Sequence, residues 1–365
     1  MLSDAIVIHL LAPMLADKDV LSLSITNKYG YNILAPKIKL KNRYSYTSVI
    51  KTNFIVERIS LNTKKFDKGI ISKAKEVYSE YVNATILYSC KNLNTLTLTY
   101  SDEDDDILYL PTNTHTLIVG YNFESRIVLP SNLKVLKSYV SRCDYDFSFE
   151  KLPPALENLR MVENVLLSSE FPSTLHTLKI GRQWRHELTN LPINLKKLSL
   201  KSRFPINVDF PPNLEELTFD NAEHYNILAN KIPIGLKSLK IKSFLGNFID
   251  IFPPNLHTLK LGHGFEHSDP FPSSLHTLEI GNFFNAPVNN LPPNLHTLKF
   301  GNHFNQPINH LPVSLYSLQL GREFDYLINV LPPNLKKLYL HPNYKYINEI
   351  KCQFKHISIM YKNEE

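Results

Sequence analysis

A chain of 365 residues, 43% hydrophobic and 20% charged, has the composition of a folding, water-compatible protein and the length of two domains or one elongated one. Its formal charge of +6 permits acidic partners without arguing for nucleic acid or a lipid surface. Cys90, Cys143 and Cys352 share no CxxC spacing and leave an odd thiol, so neither a disulfide framework nor a zinc ribbon is indicated and a reducing compartment fits. No stretch approaches the ~18–20 unbroken apolar residues of a membrane span.

The apolar stretch over residues 5–15 has no Lys or Arg before it, follows Asp4 and contains His9 and Pro13, so it does not read as a secretion signal. Across residues 2–29, apolar side chains at 6, 7, 10, 11, 15, 20, 21, 23 and 25 have the spacing of short helices. One starts near Asp4, whose side-chain oxygen can cap it, and a second comes after Asp17-Lys18-Asp19; Pro13 ends or kinks the first. The pattern resembles an F-box through Leu11, Leu15, Asp19, Val20, Leu21, Leu23, Ser24, Ile25, Asn27 and Lys28. It departs from that family where Ser3-Asp4 replaces the opening proline and where Pro13 interrupts a helix. The resemblance implies a small α-helical domain over 1–45 that binds a cullin adaptor protein through Leu11, Leu15, Val20, Leu21, Leu23 and Ile25. The alternative is a helical cap covering the exposed leucines at the start of the repetitive region.

Residues 46–89 form a connecting segment and N-terminal cap. Val56, Ile59 and Leu61 predict a first strand, whereas Ile70, Ile71, Ala74, Val77, Tyr78 and Tyr81 have helical spacing. Asp102, Glu103, Asp104, Asp105 and Asp106 form an acidic run that reads as a solvated loop, since the glycine and spacing of an EF-hand are missing.

From about residue 90 to 342 the chain repeats itself roughly every twenty residues. With the proline of Leu-Pro taken as position zero, prolines recur at 111, 130, 153, 172, 192, 211, 233, 253, 272, 292, 312 and 332, half of the 24 in the chain. Apolar residues stand at plus three, six and eight, as in Leu256, Leu259, Leu261 and Leu295, Leu298, Phe300. Leu93, Leu96, Leu98 and Phe354, Ile357, Ile359 read as worn terminal copies, the last within a C-terminal cap and tail over 343–365. Six of the eleven glycines fill plus nine, and an aromatic fills plus twelve at Phe123, Trp184, Phe204, Phe265, Phe284, Phe304, Phe324 and Tyr344.

Apolar residues at plus six and plus eight share one face of a short strand, with plus five and plus seven on the other. Proline at zero keeps the approach extended, and glycine at plus nine is expected to supply a positive φ where the chain turns away. No single repeat can enclose its own leucines, but stacked copies can. A helical array is not expected, because a twenty-residue period with a proline leaves no room for two helices. The prediction is a solenoid with a parallel β-sheet face. The Lx2LxL ladder resembles leucine-rich repeats of the β-rich α/β type, and Phe284-Asn285-Ala286-Pro287-Val288 with Phe304-Asn305-Gln306-Pro307-Ile308 resembles the FNIP repeat. The resemblance implies a protein-binding scaffold. FNIP repeats behind an F-box recur in proteins of amoebae and their large viruses. That combination implies the substrate-recognition subunit of a cullin-type ubiquitin ligase, in the cytoplasm or a host's cytoplasm; the alternative is a scaffold without a ligase link.

The plus-seven column lies on the open face and carries Lys137, Arg160, Lys179, Lys240, Lys260 and Lys299, a basic stripe suited to an acidic or phosphorylated target. The bland alternative is that these side chains keep a flat sheet soluble. Histidines at plus four, His115, His176, His257, His276 and His296, come without a carboxylate or thiol column, so no metal is expected. GxSxG, GxxxxGK[ST], HExxH and a helix-opening GxGxxG are all absent, so neither an enzyme nor a cofactor is expected.

Overall fold

The computed structural model describes residues 93–100, 107–123, 127–139, 151–162, 170–182, 184, 187–201, 207–221, 228–243, 252–265 and 271–361, and the backbone of short strands at 39–40, 44–45, 55–56, 58–61, 76–79, 148–149 and 166–167. The residues matched to an F-box and the acidic run at 102–106 lie outside these. The chain divides into two compact units, 1–175 and 176–365.

Each unit is built on a ladder of short parallel strands. In the first, strands Tyr44–Ser45, Arg58–Leu61, Glu76–Ser79, Thr95–Tyr100, Thr116–Asn122, Val135–Ser138 and Asn158–Met161 pair in sequence order. In the second the order runs Thr177–Ile180, Lys197–Leu200, Glu216–Phe219, Ser238–Ser243, Thr258–His263, Thr277–Ile280, Thr297–Lys299, Ser317–Gln319, Lys337–Leu340 and Ser358–Tyr361. The plus-six leucines align strand to strand: Leu178, Leu198, Leu217, Leu239, Leu259, Leu278, Leu298, Leu318 and Leu338 are consecutive register partners, each at most 2% exposed. At ~1.5–3 kcal/mol per buried leucine or phenylalanine, this shared interior opposes the chain entropy of each coil.

The proline column makes the turn that enters each strand. The amide of plus three donates to the carbonyl of position zero, as Leu295 does to Pro292 at 3.2 Å and Leu335 to Pro332 at 3.0 Å. In several coils a second proline stands at plus one, where its fixed φ suits the second residue of such a turn. The plus-two side chain ties the turn to the coil before it: Asn255 Nδ2 donates to the Ile234 carbonyl at 3.1 Å and Asn334 Nδ2 to that of Val313 at 3.0 Å.

The motif letters each have a role. Phe265, Phe284, Phe304, Phe324 and Tyr344 form an interior spine with ring centroids 5.9 to 6.2 Å apart. The asparagine after the phenylalanine links coils through the backbone: Asn285 Oδ1 accepts the Asn305 amide at 2.8 Å, and Asn305 Oδ1 accepts that of Asp325 at 3.0 Å. The aliphatic residue at plus sixteen, Leu188, Val208, Val288, Ile308 or Ile328, is buried, and the column includes the residues that end the two motif copies quoted above. Thr114 and Ser138 are buried at plus three and plus eight, where other coils hold apolar residues.

Several expectations are corrected. Residues 76–79, placed in a helical pattern by spacing, form a strand whose Val77 is registered between Ile59 and Leu96. A short apolar run is ambiguous in period, and a ladder on both sides decides it. Strands at Lys39–Leu40 and Tyr44–Ser45 likewise end the segment predicted as helical. The last copy is shifted: Ile359, not Ile357, pairs with Leu338, and Tyr361 with Leu340, because one residue is missing between the turn and the strand. Finally, among the described glycines only Gly264 has a positive φ, 85°. The plus-nine glycines serve close approach instead: a Cβ on Gly262 would overlap the Lys242 carbonyl, on Gly281 the backbone of Gly262, and on Gly321 the carbonyl of Gly301.

Candidate functional site: the open sheet face

Alternation along each strand turns plus five and plus seven away from the leucines, so these two columns form a surface of side chains in register. Within the first unit, Lys137 and Arg160 are cross-strand neighbours, and the Arg160 guanidinium lies 4.7 Å above the Tyr139 ring. Within the second unit, the plus-seven column runs Lys179, Ser199, Thr218, Lys240, Lys260, Glu279, Lys299, Gln319 and Tyr339. The structure therefore brings Lys179, Lys240, Lys260 and Lys299 onto one face.

The stripe is not uniformly basic. Glu279 sits between Lys260 and Lys299 and takes both, at 3.1 and 2.7 Å. Burial disfavours its ionised form, but hydrogen bonds from Lys299 and Lys260 and their positive charges outweigh that, holding the carboxyl below the usual carboxylate range. Beside this column, Glu216 pairs with Lys197 at 2.7 Å, and Asp220 is bracketed by Lys242 at 2.9 Å and Arg182 at 3.7 Å. On the plus-four flank Glu215 is bracketed by Lys196 and Lys237 at 3.7 and 3.4 Å. Each of these acids consumes one or two cations, so the excess charge is smaller than the lysine column suggests and more local. Reading the column for sign alone missed this pairing, although the twenty-residue register already placed Glu279 between two lysines.

The plus-four histidines form a second surface row. The Nδ1 hydrogen of His257 is donated to the Asn255 carbonyl at 3.0 Å and that of His276 to Ser274 at 2.9 Å, leaving Nε2 outermost. Their rings stack at 5.3 Å with 8° between planes. Parallel rings aim their Nε2 lone pairs the same way, so no single ion lies ~2.0–2.1 Å from both. Among the described residues no group of three or more His, Cys, Asp or Glu side chains could hold a metal ion, and no helix is long and apolar enough to cross a membrane.

The family description FNIP Repeat matches residues 284–323 and 304–343. Residues 284–343 thus resemble two overlapping FNIP repeat windows. The windows hold the Phe-Asn pairs whose rings make the spine and whose amides make the inter-coil ladder. Among solved structures, the chain is similar to CroV588 of the giant virus CroV, a novel circular LRR protein, with 20% identity over 86% of this chain and a TM-score of 0.50. It spans 66% of that protein's chain. It is also similar to YopM from Yersinia enterocolitica WA-314, with 18% identity, 83% of this chain and 75% of that one covered, and a TM-score of 0.38. A search of curated proteins finds no match. The likeness to CroV588 shows the fold: a parallel β-solenoid of the leucine-rich-repeat type.

Proposed function

We propose that the protein is a recognition scaffold that captures an acidic protein segment on the open sheet face, and that it serves as the substrate-recognition subunit of a cullin-type ubiquitin ligase. The recognition half is supported by one observation above all: a rigid surface whose plus-seven lysines stand in register on a fully apolar backing, with more cations than the acids beside them take up. Such a face offers pre-positioned charge, which steers encounter and fixes register more than it adds raw affinity. In the second unit Lys179, Lys240, Lys260 and Lys299 are its contact residues, the last two shared with Glu279, and Lys137 with Arg160 are the corresponding cations of the first unit's own sheet face.

The ligase half rests on the resemblance of residues 2–28 to an F-box, in which Leu11, Leu15, Val20, Leu21, Leu23 and Ile25 form the apolar contact with the cullin adaptor. Pull-down of the full chain with that adaptor, beside the Leu21→Asp variant, tests it. Binding by the wild type that the variant loses is expected; no binding, or binding indifferent to the change, removes the ligase reading and leaves the scaffold. For the recognition half, Lys240→Glu with Lys260→Glu weakens capture of an acidic partner at low salt while the protein stays folded, with a lowered midpoint because Lys260 leaves its bridge to Glu279. Unchanged capture would count against it.

A further inference from the structure

Lys179 and Lys240 differ from the other plus-seven lysines of the second unit, Lys260 and Lys299, which are both bound to Glu279. Lys179, Ser199, Thr218 and Lys240 stand on neighbouring strands, in that order and in register. Both lysines are exposed and both hydroxyl residues half-buried. Among the described residues none of the four side chains has a hydrogen-bond or ion-pair partner. Their surroundings are the reverse, since Glu216, Asp220 and Glu215 are each already bound by lysine or arginine. Among the described residues, two uncompensated positive charges and two unused hydroxyls therefore remain in one row.

Strands ~4.8 Å apart put the two lysine Cα atoms roughly 14 Å apart, with the centre of the row about 7 Å from each. A lysine stem extends about 6 Å, so both ammonium groups reach above Ser199 and Thr218. The row presents a pair of cations over a floor of two neutral donors.

We propose that this row recognises a phosphate monoester carried by the protein partner, a phosphoserine or phosphothreonine in an exposed segment. The assignment rests on the reading of the open face as the partner-binding surface and narrows it. A carboxylate brings one charge on two oxygens and leaves an ammonium uncompensated. A phosphate monoester brings about −1.5 to −2 and three acceptor oxygens, which matches two ammonium groups and two hydroxyls. Its hydrogen bonds to the lysines are charge-assisted, the stronger kind. A nucleic-acid backbone would need cations at every step along the face, but Ser199, Thr218 and Glu279 interrupt them.

The test uses the full chain, immobilised at ~0.15 M salt where surface charges beyond ~8 Å are screened. It is offered three degenerate peptide pools, with phosphoserine, serine or glutamate fixed at the centre, and a single-stranded DNA oligonucleotide. Expected is retention of the phosphoserine pool on the order of tenfold above serine, a difference of ~1.4 kcal/mol, and clearly above glutamate. Ser199→Ala with Thr218→Ala, and separately Lys179→Gln with Lys240→Gln, each cut that retention severalfold with unchanged unfolding midpoints. Equal retention of the phosphoserine and glutamate pools, still lost in the Lys240→Glu and Lys260→Glu variant, overturns the phosphate assignment and leaves the acidic-partner reading standing. No retention of any pool overturns both, and retention of the oligonucleotide equal to that of the phosphopeptides replaces a single phosphate with a polyanion.

Discussion

Placing an alanine at Gly301 adds one methyl group where the preceding coil leaves no room, because the new Cβ would overlap the backbone of Gly281 and Asn282. Carbon atoms rest at ~3.5–4.0 Å, so the two coils must part locally by about 1 Å or more. Neither neighbour can give way as a flexible side chain would, since the overlapped atoms are main chain. The parting loosens the bond from the His303 amide to the Asn282 carbonyl, now 3.0 Å, and the adjoining ladder bonds of strand Thr297–Lys299. Overpacking of this kind costs ~1–3 kcal/mol and each weakened hydrogen bond up to ~1, so a loss of about 2–4 kcal/mol is expected. Gly235 supplies the control: a Cβ there meets nothing within 4 Å and its φ is not positive, so Gly235→Ala lies between neutral and ~1 kcal/mol stabilising. Urea unfolding of the full chain is followed by the fluorescence of Trp184, the single tryptophan, which is buried in the second unit. Coincident midpoints for Gly301→Ala and Gly235→Ala would refute the argument that the plus-nine glycines exist to let backbones approach.

Phe304→Ala removes a ring stacked between Phe284 and Phe324 at 6.0 and 6.2 Å and should cost ~3–5 kcal/mol in the same assay, while an alanine at the exposed Phe283 costs far less. The Glu279 carboxyl is depressed in the folded protein, so its stabilisation is present above the ordinary unfolded value of ~4.3 and is lost as pH falls through the lower folded value. Wild type should therefore lose more stability than Glu279→Gln between about pH 5 and pH 2, and parallel pH profiles would exclude a working Lys260–Glu279–Lys299 bridge. Burial pushes the Tyr344 hydroxyl up to about 12, so between about pH 10 and 12 the unfolded chain gives up this proton first and stability falls with rising pH; Tyr344→Phe should flatten that limb of a pH-dependent melting curve. The hydroxyls of Thr114 and Ser138 are buried among apolar columns with no hydrogen-bond partner among the described residues, so Thr114→Val and Ser138→Ala should each raise the midpoint by the equivalent of ~1 kcal/mol.

The repeat was legible because its columns recur. Leu259, Leu278, Leu298 and Leu318 announce a shared interior by spacing alone, and the structure makes them register partners. What was misread depends on a neighbour the local sequence does not mention. Gly281 looks like a turn residue until the backbone of Gly262 lies against it. Val77 fits a helical pattern until strands on both sides offer it ladder bonds. The terminal copy was misread because Phe354 and Ile357 stand at the turn positions zero and plus three, and the missing residue brings the plus-six equivalent, Ile359, two places after Ile357, which imitates the three-then-two spacing. On the open face, residue type was legible and pairing was not: Lys260 and Lys299 looked available, and Ser199 and Thr218 looked unremarkable beside the charged residues. The signal that could have found them was subtraction of each acid's neighbours along the register.

Across residues 281–325 the ring spine, the asparagine ladder and the glycine contacts join each coil to the next by nearly the same set of bonds. Such a chain grows by translation. Copying residues 292–311 in tandem would add one coil whose requirements are met by the neighbours already there. It would also move every chemical group beyond it by one strand spacing, ~4.8 Å, along the exposed surface. Gene-level duplication of a twenty-residue unit is thus enough to re-space the face for a differently sized ligand, with no new interior to be invented.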